Sequence, residues 1–342
     1  MYDNSMKKYF WSLVLILLMT PSVANAHEQV KESKKNRIDN YETITISQSG
    51  SLFYSVTNEI ITSVKNVDAN LSFIGRANIG MEKILDYSGK EKLTTKTDYL
   101  YSVSIKTVEK DFADYIYSDS ISSKIKNDLI IISELTANLY SIQIGDVIHL
   151  IGINGEPVEI VVGDIVPDAE LGWFEGVVNK ELGFKLGIYR NIQAIIWDEK
   201  ITENHLIEIY RNIKYKKVKI SDKNSSPNKN WILPNALVKE KFGDFQIKEK
   251  DGTWIITEPA WREANIERLE MPIIGRATCH KLMWEPLRGV LNQIEAEGLG
   301  YTLSKEEFRT SGGCYAPRRI SRFDAGGSIS RHAWGIAIDI NT

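Results

Sequence analysis

The chain is short of cysteine and histidine, has no excess of charge of either sign, and contains one long apolar run. Two cysteines in 342 residues are too few for a disulfide scaffold or a four-cysteine zinc site. The 42 Lys+Arg stand against 45 Asp+Glu, a net charge of −3. Nucleic acid as the main partner would ask for a basic excess that is missing here. No internal repeat and no low-complexity tract occurs. At 43% hydrophobic and 25% charged, the composition excludes a wholly disordered chain, a collagen-like repeat and a multi-span membrane protein. At roughly 150 residues per domain, the length implies about two domains.

The single long apolar run lies at the start. Lys7 and Lys8 precede Tyr9–Met19, which only Ser12 interrupts, and Ala24-Asn25-Ala26 places small residues at the −3 and −1 positions of a cleavage site. Residues 1–26 therefore read as a bacterial secretory signal peptide cut after Ala26, since the run falls short of the ~20 residues of a membrane span. An uncleaved N-terminal anchor is the alternative. Without Asp3, Lys7 and Lys8 the mature chain carries 40 basic and 44 acidic side chains, a net of −4. With no second long apolar stretch, it is expected outside the cytoplasm, in the cell wall, periplasm or medium, with no stable membrane span once the signal is removed.

The mature chain divides by composition. Residues 27–40 are a polar lead-in. Residues 41–218 form a β-rich module: Tyr41–Ile46 alternates as a half-buried strand does, Asp128–Ile132 is apolar and β-branched, and Asn154-Gly155 joins Ile142–Ile151 to Val158–Val162 as a hairpin. Gly145-Asp146 is expected to form a tight turn. His149 lies in an alternating strand and is assigned a structural role. Ile201–Asn212 has helical spacing, with His205 on its surface. Residues 219–230, polar with Ser and Pro, read as an interdomain linker. Residues 231–342 hold Trp231, Trp254, Trp261, Trp284 and Trp334. A helix begins at Trp284, with Pro286 in its first turn, an apolar face of Leu287, Val290, Leu291 and Ile294, and Gly298 as its stop. The fold class expected is α+β.

The chemistry gathers in Ser330-Arg-His-Ala-Trp-Gly-Ile-Ala-Ile-Asp339. Gly335 permits a turn between His332 and Asp339, and Ile336–Ile340 reads as a short buried strand. An imidazole before a turn and a carboxylate after it can converge on one cation, and both are zinc ligands at about 2.0–2.2 Å. A bare His-x6-Asp equally describes a core histidine beside a strand-end aspartate.

The pattern Ser330-x-His332-x-x-Gly335-x-Ala337-x-Asp339 resembles the signature of the VanY-type D-alanyl-D-alanine carboxypeptidase-like zinc peptidases, relatives of the hedgehog fold. Thr310–Arg319 and Cys279-His280 also resemble segments that precede it. The resemblance covers residues 230–342 and implies a partial hedgehog/DD-peptidase-type domain. It further implies that His332 and Asp339 are two zinc ligands and that Arg318 or Arg319 faces substrate, with peptidoglycan stem peptides as the substrate class. In the family a later histidine completes the zinc site and an acidic residue shortly before it is the general base. Neither follows Asp339 here, since the chain ends at Thr342. The expectation is therefore of an incomplete peptidase domain. His280, ahead of the helix, is not assigned as a ligand.

Cys279 and Cys314 have two readings. One is a bridge, favoured by secretion and contributing about 3–4 kcal/mol by the chain-entropy estimate. The other is two separate buried thiols. The functional expectation is a secreted zinc metallopeptidase, a hydrolase of cell-wall peptides of the carboxypeptidase or L-Ala–D-Glu endopeptidase kind. The alternative is a catalytically inactive wall-binding module. A third reading, an interaction domain of a membrane transport assembly, rests on the Gly145-Asp146 turn alone.

Overall fold

The structure is a computed structural model, and it describes residues 43–47, 54–66, 70–189, 192–197, 211, 219–221, 233–250, 254–302, 314–320 and 326–339. The proposed signal peptide, the lead-in, Trp231, His205 and the body of the expected helix over 201–212 lie outside these residues; Arg211 is helical. The chain forms two compact units. One is built from Ser33–Lys241 and Ser321–Ser328, the other from Phe242–Ile320 and Ile329–Thr342. The boundary thus falls near residue 241, beyond the expected linker. Residues 219–221 are a strand, because their backbone pairs with Thr45–Ser47, so that part of the linker reading is corrected. Residues 222–230 lie outside the described residues.

The first unit is α+β. Its strands are β1 (Thr43–Ser47), β2 (Asn70–Ile74), β3 (Arg76–Leu85), β4 (Glu91–Thr94), β5 (Tyr101–Val108), β6 (Ile130–Ser133), β7 (Val147–Ile151), β8 (Pro157–Val166), β9 (Gly176–Asn179), β10 (Gln193–Trp197) and β11 (Lys219–Ser221). Strands β3, β5, β9, β6, β8 and β7 follow one another round a ring. β7 pairs back onto β3, from Gly80↔Ile151 to Leu85↔Val147, so among the described residues a six-stranded barrel closes. Closure leaves those six strands no open edge. Alternate positions such as Ile79 and Met81, Val103 and Ile105, and Ile148 and Leu150 meet in one core, as the period-2 geometry of strands requires. The hairpin expected at Asn154-Gly155 is present, with Ile151 opposite Pro157 and Gly155 at φ 83°. At the expected turn before it, Gly145 has φ 92° and the buried Asp146 carboxylate accepts from the Gln143 N–H at 2.7 Å and from Lys92.

The β-rich reading overlooked five short helices of this unit: α1 (Tyr54–Asn66), α2 (Lys110–Ile116), α3 (Asp119–Lys126), α4 (Glu134–Tyr140) and α5 (Lys180–Lys185). Two carry local start signals, since Ser133 Oγ accepts from Thr136 N and Asn179 Oδ1 from Leu182 N. Phe112, Ala113, Ile121 and Ile125 of α2 and α3 bury against Val108, Ile131, Val177 and Ile195 in a second core. A sixth helix, α6 (Asn235–Phe242), brings Lys239 into the unit. Its ammonium donates to Glu175 Oε1 (2.7 Å), to Tyr140 Oη (3.1 Å) and to the Ser102 carbonyl. Glu175 Oε2 accepts from the Ser104 N–H and hydroxyl. No helix among the described residues is long and apolar enough to cross a membrane.

The second unit is also α+β, with much less sheet. β12 (Ile247–Glu249) pairs with β13 (Ile255–Thr257), and β14 (Ile266–Met271) with β15 (Gly275–His280). Helix α7 (Pro259–Asn265) opens on a proline, where no N–H is needed. Helix α8 (Trp284–Ala296) is the one expected: Pro286 lies in its first turn, Val290, Leu291 and Ile294 are buried, and Gly298 follows it at φ 70°. These residues pack with Met271, Ala277, Cys279 and Cys314. The expected strand after Gly335 is absent: residues 336–339 are irregular. A strand exists only by pairing, and the recorded backbone bond of this stretch, Ile336 N to Arg331 O, closes a turn instead.

Candidate functional site

Ser330 begins the site. Its hydroxyl accepts from the His332 N–H at 3.3 Å and starts a single 3₁₀ turn, Arg331–Trp334. Gly335 ends the turn at φ 69°, and a Cβ there would come within 2.7 Å of the His280 nitrogen. Only glycine meets both demands. Its carbonyl accepts from His280 N at 3.0 Å, which ties the turn to β15. Trp334 anchors the other side: its indole donates to the Gly243 carbonyl and its ring lies 4.8 Å from that of Phe245. Residues 316–318 run alongside, held by Ala316 N to His332 O and Ser330 N to Arg318 O, each 2.9 Å.

Cys279 and Cys314 are joined in a disulfide with Cα atoms 4.7 Å apart, and both are fully buried. The bridge sets the position of Cys314, whose carbonyl faces His332 Nδ1 at 3.1 Å. A carbonyl only accepts, so Nδ1 carries the hydrogen. The other ring nitrogen, Nε2, lies 3.2 Å from Asp339 Oδ2. In a neutral ring with this tautomer, Nε2 presents a lone pair to a carboxylate oxygen, and the two repel. The pair therefore calls for a positive species, either a proton on Nε2 or a cation held by both. The 3.2 Å separation fits both cases: it lies at the long end of a hydrogen bond, and two ligands about 2.0–2.1 Å from a tetrahedral ion are about 3.3 Å apart. A histidine whose far nitrogen donates to a backbone carbonyl is also the usual supporting arrangement for a metal ligand. His332 is buried while the Asp339 side chain is 42% exposed, so one side of the pair is open to solvent.

The two arginines separate. Arg319 is committed to Glu249, with Nε 3.1 Å from Oε1 and Nη2 closer. Arg318 makes a backbone bridge opposite Trp254, and its guanidinium makes no ion pair among the described residues. His280 is fully engaged by backbone: Nδ1 accepts from Leu282 N and Nε2 faces the Phe242 carbonyl, each at 3.1 Å. Burial holds its pKa below the ordinary 6.5 and keeps the ring neutral. It is not available as a third ligand, and among the described residues no group of three His, Cys, Asp or Glu side chains could hold a metal. His149, on β7, lies 3.4 Å from Glu159. The sequence reading missed the Cys314 carbonyl and Glu249, which no local pattern signals because they lie 18 and 70 residues from their partners. The chain matches no model of a protein family, and no curated protein matches it.

Proposed function

We propose that the second unit is a secreted zinc-dependent hydrolase of peptidoglycan stem peptides, of the hedgehog/DD-peptidase type. The observation that supports this most directly is the pairing of His332 Nε2 with Asp339 Oδ2, with Nδ1 pinned on the Cys314 carbonyl. Zinc bound there would polarise a scissile carbonyl and acidify a water toward a pKa of ~7. Of the chain's own residues, His332 and Asp339 would hold the metal. Arg318, whose fork matches a carboxylate, would anchor the peptide terminus, while Arg319 braces Glu249.

A second reading has its own support. A catalytic zinc site normally uses three protein ligands, and the described residues bring together two. On that reading the unit binds wall peptides without cutting them. The deciding experiment measures zinc retained after dialysis, muropeptide binding, and release of D-Ala or L-Ala, for the chain and for His332→Ala and Asp339→Ala. With two ligands brought together, the hydrolase reading expects weakly retained zinc and slow amino-acid release, both lost in the two variants. Muropeptide binding without release would favour the wall-binding module. Zinc retention unchanged by both substitutions would remove the site.

A further inference from the structure

Among its described residues, the first unit has a charged feature without a countercharge. Arg76 on β3 and Lys106 on β5 are directly opposite one another in the antiparallel ladder. Like charges in that relation destabilise a sheet. Elsewhere in the unit the ammonium groups of Lys92, Lys124, Lys180 and Lys239 each meet a carboxylate. Arg76 and Lys106 have none among the described residues. The Arg76 guanidinium donates to Gln193 Oε1 and lies 5.6 Å from the centre of the Phe174 ring. Lys106 Nζ is 3.5 Å from Tyr117 Oη and 5.7 Å from that ring's centre. These neutral partners orient the two cations without discharging them. Burial first, and the Arg76 charge second, push the Lys106 ammonium down to about 8. By surface area Arg76 is exposed and Lys106 is partly buried.

We infer that Arg76 and Lys106 form a binding site for a phosphate-bearing ligand on the barrel unit. Two adjacent cations match a phosphate group, which carries about −1.5 to −2 charges near pH 7. The guanidinium supplies a planar fork and the ammonium a point charge, the two usual forms of phosphate contact. The Phe174 ring lies beside the guanidinium, 5.6 Å from centre to carbon. A partly buried lysine held opposite an arginine, at a cost in stability, is the kind of local conflict that functional sites show.

The test titrates the full chain with inorganic phosphate, with acetate as the carboxylate comparison, and repeats it on Arg76→Gln and Lys106→Met. Vesicles of phosphatidylglycerol in phosphatidylcholine, against phosphatidylcholine alone, test a lipid headgroup as the source of the phosphate. The expected result is saturable phosphate binding, tighter than acetate and weakened roughly tenfold or more in each variant. Co-sedimentation with the phosphatidylglycerol vesicles that both variants lose would identify the lipid. Phosphate binding without co-sedimentation would identify a soluble phosphate compound. Lys106→Met removes a desolvated cation and is expected to raise the unfolding temperature, so lost binding in that variant reports the site and not misfolding. Absent phosphate binding, or equal binding in all three proteins, would overturn the inference.

Discussion

The two units solve the same problem differently. The barrel unit rests on two contiguous apolar cores, and it can place a lysine and a glutamate inside because Lys239 and Glu175 satisfy each other and their neighbours. The second unit has a smaller core with a disulfide in it. Its candidate site spans a 3₁₀ turn and an irregular segment, held by one serine cap, one glycine and five backbone carbonyls. Ample apolar burial tolerates an internal ion pair, whereas a small core needs covalent and backbone restraint to hold a site still.

That contrast can be broken. The largest expected effect is in the barrel: Lys239→Met leaves Glu175 buried without its countercharge, and the chain should lose about 3–5 kcal/mol. Glu175→Gln combined with Lys239→Met should recover most of it. Equilibrium unfolding of the single and double variants measures both, and additive losses would show that the pair is not coupled. Next, Cys279→Ser with Cys314→Ser should cost about 3–4 kcal/mol. Hydrogen exchange followed by mass spectrometry should confine the lost protection to peptides of the second unit. The same double variant should loosen His332, read as faster exchange in peptides covering 331–339.

Smaller effects sharpen the comparison. Gly335→Ala puts a side chain at φ 69° and against the His280 backbone, so a loss of about 1–3 kcal/mol is expected. The exchange rates of peptides covering 331–339 should rise most. The least is the response to acid. His280 is held neutral by burial, with its folded pKa below 6.5. Below pH 6.5 the unfolded chain therefore binds more protons at this residue than the folded one, and stability falls as the pH drops from 6.5 to the lowered folded value, then levels off. Thermal unfolding of His280→Gln against the parent across pH 5–7.5 would show it: the variant should lack that share of the slope.

Local chemistry made several parts legible without coordinates. Asn154-Gly155 between apolar runs is a hairpin because the left-handed backbone at Gly155 is cheap for glycine. Trp284–Ala296 is a helix because its apolar spacing, first-turn proline and closing glycine all agree. The strands β1, β7 and β8 were legible from their apolar, β-branched runs. Sequence also singled out His332, Asp339, Cys279 and Cys314 as residues to watch. It did not reveal what depends on distant partners. The pairing of β7 with β3, which closes the barrel, joins segments more than 60 residues apart. Lys239 finds Glu175 across 64 residues. Residues 336–339 had the composition of a strand but gained no pairing partner among the described residues, since composition permits a strand and only a neighbouring backbone completes one. His332 and Asp339 are seven apart in sequence, yet which ring nitrogen meets the carboxylate was decided by the Cys314 carbonyl 18 residues away, held in place by the disulfide. Backbone preferences are written in neighbouring residues; hydrogen-bond partners and charge balance are set by what folding brings into contact.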